Sequence, residues 1–126
     1  MKRIWTALAI FVILVSVSAA GTSTTRKICN ETSAAVTAAK AAQENGDAEK
    51  ALKLSKTAVK GWHMSHRVLC MYMPHSKLES IEETISGLPM LCKYGAEDQF
   101  MADCDRSLEQ LSYLMESEEP NMQNIF

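Results

Sequence analysis

Apolar residues run almost unbroken from Ile4 to Val17, and beyond Thr25 they recur at steps of three and four. The first pattern is apolar all round. The second leaves one apolar face per helix. No stretch sustains a two-residue alternation, so strands are not expected. The Ala-rich segment from Thr25 to Glu44 carries a stripe of Ile28, Ala35, Ala39 and Ala42. Asn45-Gly46 then suits a left-handed C-terminal cap. Asp47 is placed to cap a second helix running to about Met73, where Pro74 removes a backbone donor. Ala48, Ala51, Leu52, Val59, Trp62, Leu69 and Met73 mark its inner face. A third helix begins at Pro74 or His75, and Leu78, Ile81, Ile85, Leu88 and Cys92 form a bundle seam on it. Gly87 and Pro89 predict a kink or an irregular last turn. After a turn at Tyr94-Gly95, a fourth helix from about Ala96 to Ser117 buries Phe100, Cys104, Leu108, Leu111 and Met115. Pro120 stops it.

The expected fold is all-α: an antiparallel up-down bundle of about four helices over residues 25–126, preceded by an N-terminal hydrophobic helix over residues 1–24. Ala42, Gly46, Ala51 and Leu52 are similar to part of a tetratricopeptide hairpin. No second copy follows at the repeat period of about 34 residues, so a repeat array is not expected.

Lys2 and Arg3 before the apolar run, and Ser18-Ala19-Ala20-Gly21 after it, have the layout of an export signal. Ser18 and Ala20 fit a peptidase site before Gly21. Ile4 to Thr25 is also uncharged, and as a helix it would span roughly 33 Å, about the thickness of a bilayer core. A cleaved signal peptide and a membrane anchor through residues 4–20 are both open. Arg26 and Lys27 balance Lys2 and Arg3, so charge bias does not choose between them. Either way the body is expected outside the cytoplasm: on the outer face of the cytoplasmic membrane if anchored, or secreted. Cys29 follows Arg26, Lys27 and Ile28, which is not a lipoprotein signal.

The chain has 126 residues, enough for one domain. Lys2 and Arg3 aside, 11 basic side chains face 15 acidic ones, a net of −4. Such a balance does not fit a general nucleic-acid binder.

Three places carry a family resemblance: Trp62 in the second helix; His75 with Leu78, Glu79, Ile81 and Leu88 in the third; and the terminal Asn124-Ile125-Phe126 after an acidic stretch. In their order and spacing the chain resembles a bacterial family of short proteins with an N-terminal membrane segment and a helical body, known only as a domain of unknown function. The resemblance implies an envelope-associated helical protein with no assigned activity. It also implies an uninterrupted anchor, from which the polar stretch Ser16–Thr25 departs. The four cysteines and the methionines lie outside the pattern.

An exported chain with Cys29, Cys70, Cys92 and Cys104 invites disulfides. At about 1.5 Å per residue, straight helices bring Cys29 and Cys104 to similar heights, which makes that pair the candidate bridge. The alternative is that Cys92 and Cys104 are buried small apolar residues. The other chemistry lies at His63, His66 and Cys70, which share one helix face and suit copper(I) or zinc. No acidic residue lies near in sequence to orient them. Met71 and Met73 suit core filling, and His75 suits capping or packing at a helix start. Lys53, Lys56, Lys60 and Arg67 are expected on a solvated face, partly paired with Glu79, Glu82 and Glu83 of the third helix. Asn124-Ile125-Phe126 is expected to dock on the bundle rather than be offered to a partner.

No serine elbow, paired carboxylate or phosphate loop is present, so no enzyme, cofactor or small-molecule substrate is expected. The sequence therefore points to an envelope-associated bundle that acts by protein or membrane contact, through an integral membrane protein or self-association. The alternative is an extracytoplasmic copper or zinc binder using His63, His66 and Cys70.

Overall fold

The computed structural model describes residues 1–71 and 73–118, and the side chains of all of these but residues 18, 22, 117 and 118. Pro120 and the Asn124-Ile125-Phe126 terminus lie outside the described residues. Four helices follow one another: α1 (Lys2–Glu44), α2 (Ala48–Leu69), α3 (His75–Lys93) and α4 (Glu97–Glu118).

The expected separate leader helix does not exist as such: α1 is one helix of 43 residues, about 64 Å long. The stretch Ser16–Thr25 is small and polar but holds no proline, and one glycine costs a helix only about 1 kcal/mol. Nothing there is strong enough to stop it. Burial begins at Gly21 and Thr25, so the bundle starts where the apolar run ends.

Two of the links end in the same cap. Gly46 has φ 77°, Gly46 N–H donates to Gln43 O, and Asp47 N–H donates to Ala42 O at 2.9 Å. Gly95 has φ 72°, with Gly95 N–H on Cys92 O and Ala96 N–H on Leu91 O at 2.9 Å. This is the glycine-terminated cap that satisfies orphan carbonyls. Asp47 then caps α2 through its side chain, which accepts from Lys50 N–H at 3.0 Å. α3 continues as helix through Gly87 and Pro89 to Lys93.

The buried positions divide into two layers. One is built around Trp62, with Ile28, Cys29, Leu69, Met73, Leu78, Ile81, Ile85, Leu111 and Leu114. The other is built around Phe100, with Val36, Ala39, Ala42, Ala51, Ala58, Leu88, Cys92 and Cys104. All four helices contribute side chains to both layers. α1 packs on α2 and α4, and α3 packs on the same two, which closes the ring. The stripe expected on α3 is buried in full. On α4 the buried set is Phe100, Cys104, Ser107, Leu111 and Leu114, with Leu108 and Met115 at the rim.

Trp62 is fully buried, and its Nε1 has no hydrogen-bond partner among the described residues; the same holds for Thr25 Oγ1. Trp62→Ala is expected to destabilise the protein by about 3–5 kcal/mol. Thr25→Val keeps the shape and removes an unpaired hydroxyl, so it should cost nothing or add up to about 1 kcal/mol. Denaturant unfolding in mild detergent, followed by circular dichroism, measures both. A destabilised Thr25→Val would show that the hydroxyl is in fact satisfied.

Candidate functional site

The sequence-based metal candidates are brought together only in part. α2 ends at Leu69, four residues short of the expected Met73, and Cys70 is its right-handed C-cap. Met71 N–H donates to Val68 O at 3.1 Å, and Met73 N–H to Leu69 O at 2.9 Å. Leu69 and Met73 both sink into the Trp62 layer. Pro74 is extended, with ψ 137°, and α3 starts at His75. A residue before proline is pushed out of the helical region, so α2 needs this short return to reach α3.

That turn carries the chemistry. Cys70 Sγ lies 3.6 Å from His66 Nδ1 and 3.7 Å from His75 Nδ1. The ligand atoms of His66, Cys70 and His75 all fall within 4.8 Å of one another. The two imidazoles meet edge to face at 5.3 Å, and His66 leans on the Trp62 ring at 6.4 Å. Cys70 and His75 are exposed, and the His66 side chain is 16% exposed.

His63 is not part of this group. Its Nε2 faces Glu82 Oε1 at 3.3 Å, and the other carboxylate oxygen lies 3.6 Å from His66 Nε2. Of the expected His63, His66 and Cys70, the structure groups His66 and Cys70 with His75 in place of His63. The reason is the early end of α2, which turns the chain back so that His75, not His63, closes on the thiol. Glu82 arrives from α3, where its distance in sequence hid it. It also corrects the expected charge pairing: among the described residues Glu82 pairs with the two histidines, and Lys53, Lys56, Lys60 and Arg67 form no ion pair. Lys56, Lys60, His63 and Arg67 instead line an open groove of about 610 Å³ with Val59, Met64 and Pro89.

The Cys29–Cys104 bridge is not formed, and Cys70, Cys92 and Cys104 are free thiols. Cys29 sits in the Trp62 layer and Cys104 in the Phe100 layer. Lys40 Nζ donates to Asp105 Oδ1 at 2.6 Å, which fixes α4 against α1 and raises the Lys40 pKa. Cys104 is thus level with the stretch of α1 from Val36 to Lys40, about 10–16 Å along the helix from Cys29. A disulfide needs Cα atoms within about 7 Å.

Cys29, Cys92 and Cys104 are buried; Cys70 alone of the four is exposed. Burial, with a contribution from the Asp105 charge, pushes the Cys104 thiol from 9.0 up to about 12. Burial raises Cys92 too, and its Sγ donates to Ala48 O at 3.3 Å. A short alkylation pulse on the folded protein should label Cys70 only, and denaturant should release the other three, as read by peptide mass spectrometry. Both raised thiols keep their protons longer folded than unfolded, so the unfolded chain deprotonates first as pH rises. Stability is therefore expected to fall between about pH 9 and the Cys104 value of about 12. Denaturation at a series of pH values measures this, and Cys104→Ala should flatten the alkaline slope.

No curated protein and no solved structure matches the chain. One family does: its sequence model, described as a domain of unknown function (DUF4363), covers residues 19–125. That span takes in the whole bundle with the His66–Cys70–His75 turn, and begins after the apolar run. The chain belongs to this family of domains of unknown function.

Proposed function

We propose that the chain is an antiparallel up-down bundle held at a membrane by the N-terminal half of α1, and that it works by contact rather than by catalysis. The bundle lies on the outer face of the cytoplasmic membrane, and its partner is an integral membrane protein or a second copy. One observation carries this reading. The large apolar residues from Ile4 to Val17 are each 51% to 73% exposed, on a helix long and apolar enough to cross a bilayer. A sleeve of that kind with no protein neighbour needs lipid around it. A signal sequence meets the same description before cleavage.

Contact is supported by what the surface offers. The open groove of α2 presents Lys56, Lys60 and Arg67 unpaired, beside Val59 and Met64. Unpaired cations next to apolar surface suit an acidic or membrane-apposed partner.

The test is alkaline extraction of host membranes, with mass spectrometry of the chain's N-terminus. The expected result is an intact leader in the membrane pellet. Adding charge to the sleeve with Leu8→Arg and Ile13→Arg should move the chain to the soluble fraction. A chain beginning at Gly21 in the soluble fraction would replace the anchored form by a secreted one. Intact chain free in the cytosol would end the reading. Crosslinking in mild detergent that yields monomer throughout, and no partner, would end the contact half of it.

A further inference from the structure

We propose that His66, Cys70 and His75 form a binding site for a thiophilic closed-shell cation, zinc(II) or copper(I). This does not rest on membrane attachment or on the contact reading. The argument begins with separation. A nitrogen at about 2.0–2.1 Å and a sulfur at about 2.3 Å from one zinc ion, at a tetrahedral angle, stand about 3.6 Å apart. Cys70 Sγ is 3.6 Å from His66 Nδ1 and 3.7 Å from His75 Nδ1. Both pairs already have the spacing that a shared ion requires.

The donor set is the second support. One thiolate and two imidazoles are the ligands these ions select over calcium or magnesium, which take oxygen. Three protein donors leave a fourth position, and the exposure of Cys70 and His75 places it toward solvent.

The third support is the carboxylate behind His66. Metal-bound histidines almost always turn their other ring nitrogen to a carboxylate, carbonyl or water, which fixes the ring and strengthens the ligand. Here Cys70 Sγ lies 3.6 Å from Nδ1 and 3.8 Å from Nε2 of His66, and Nε2 also lies 3.6 Å from Glu82 Oε2, so Nδ1 is the nitrogen left for the ion. Glu82 is held from its other oxygen by His63 at 3.3 Å. Glu82 and His63 are positioning residues in this arrangement.

The scaffold is prepared for the ion. His66 is on the last turns of α2, Cys70 caps that helix, and His75 opens α3. Leu69 and Met73, buried in the Trp62 layer, pin the turn between them. On binding, the Cys70 thiol gives up its proton to solvent and each imidazole donates a ring-nitrogen lone pair, with no change of oxidation state.

The experiment uses the full chain, purified reduced in mild detergent. Zinc(II) and copper(I) are titrated separately, each against a chromophoric competitor, and cobalt(II) serves as the visible stand-in for zinc. The expected result is one equivalent per chain, with sulfur-to-cobalt charge transfer and the intense visible bands of a four-coordinate ion. Cys70→Ser and His75→Ala should each weaken binding by about 100-fold or more, Glu82→Gln by about 10–100-fold, and His63→Ala by about tenfold at most. Stronger competition by the zinc form or by the copper(I) form decides which ion the site takes, and either supports the proposal. The absence of stoichiometric binding overturns it. So does binding that survives Cys70→Ser with His75→Ala, or that needs His63 and not His75. Because the varied ligands lie at the surface, unchanged circular dichroism shows that lost binding is not lost fold.

Discussion

The uninterrupted hydrogen-bond ladder of α1 joins two unlike surfaces. From Ile4 to Val17 every large side chain is apolar and open, and after Gly21 one face is buried against α2 and α4. Because the ladder does not break, the bundle has one fixed direction relative to the apolar half. The Trp62 layer is nearest to it and the Phe100 layer is farther away. Leu69 and Met73, on either side of the α2–α3 turn, belong to the Trp62 layer, so the turn sits with the layer nearer the apolar half of α1.

The bundle itself follows from alternating steps of three and four, the spacing that keeps one stripe facing a neighbour. On α3 that rule alone finds every buried position. On α4 it fails by a rotation, because Ser107 is polar and its burial is not readable from hydropathy. The structure removes the cost: Ser107 Oγ donates to the Asp103 carbonyl at 2.8 Å. Ser55 does the same on α2, to Ala51 at 2.7 Å. A serine that satisfies itself inside its own helix behaves as a small residue, and the helices can close over it. The leader-to-bundle junction misled for a related reason. Ser and Thr lower the apolar count of Ser16–Thr25, yet they remain compatible with a helix, as Thr6 shows by donating to the Lys2 carbonyl at 2.8 Å.

Chemistry was legible as composition and less so as geometry. The helix face shared by His66 and Cys70 was visible in their spacing, and those two do converge. His75 was visible only as a residue at a helix start. Its place beside the thiol depends on α2 stopping at Leu69, which proline chemistry implies but does not locate to the residue. Glu82 could not be found along the chain, because its relation to His63 and His66 is made by packing between α2 and α3. The disulfide expectation failed through register. Equal rise per helix ignored the offset that Lys40 and Asp105 set between α1 and α4. An error of two or three turns is enough to carry a cysteine from one core layer to the other.

The position of the thiol cluster limits what an ion there can do for the molecule. The turn between Cys70 and His75 is short, and closing a short loop recovers little chain entropy. Leu69 and Met73 already hold it from below. An ion would therefore add stability mainly by mass action on the folded state, with little change in backbone order. Its larger effect is on the exposed end of the bundle. It would fix the Cys70 and His75 side chains and place a cation within reach of the Glu82 carboxylate. Under the contact reading proposed above such a change matters, because charge and side-chain order at a contact set its specificity more than its buried area does. The turn that the fold needs to reverse α2 into α3 is thus a part of the bundle's surface whose charge a bound cation can alter.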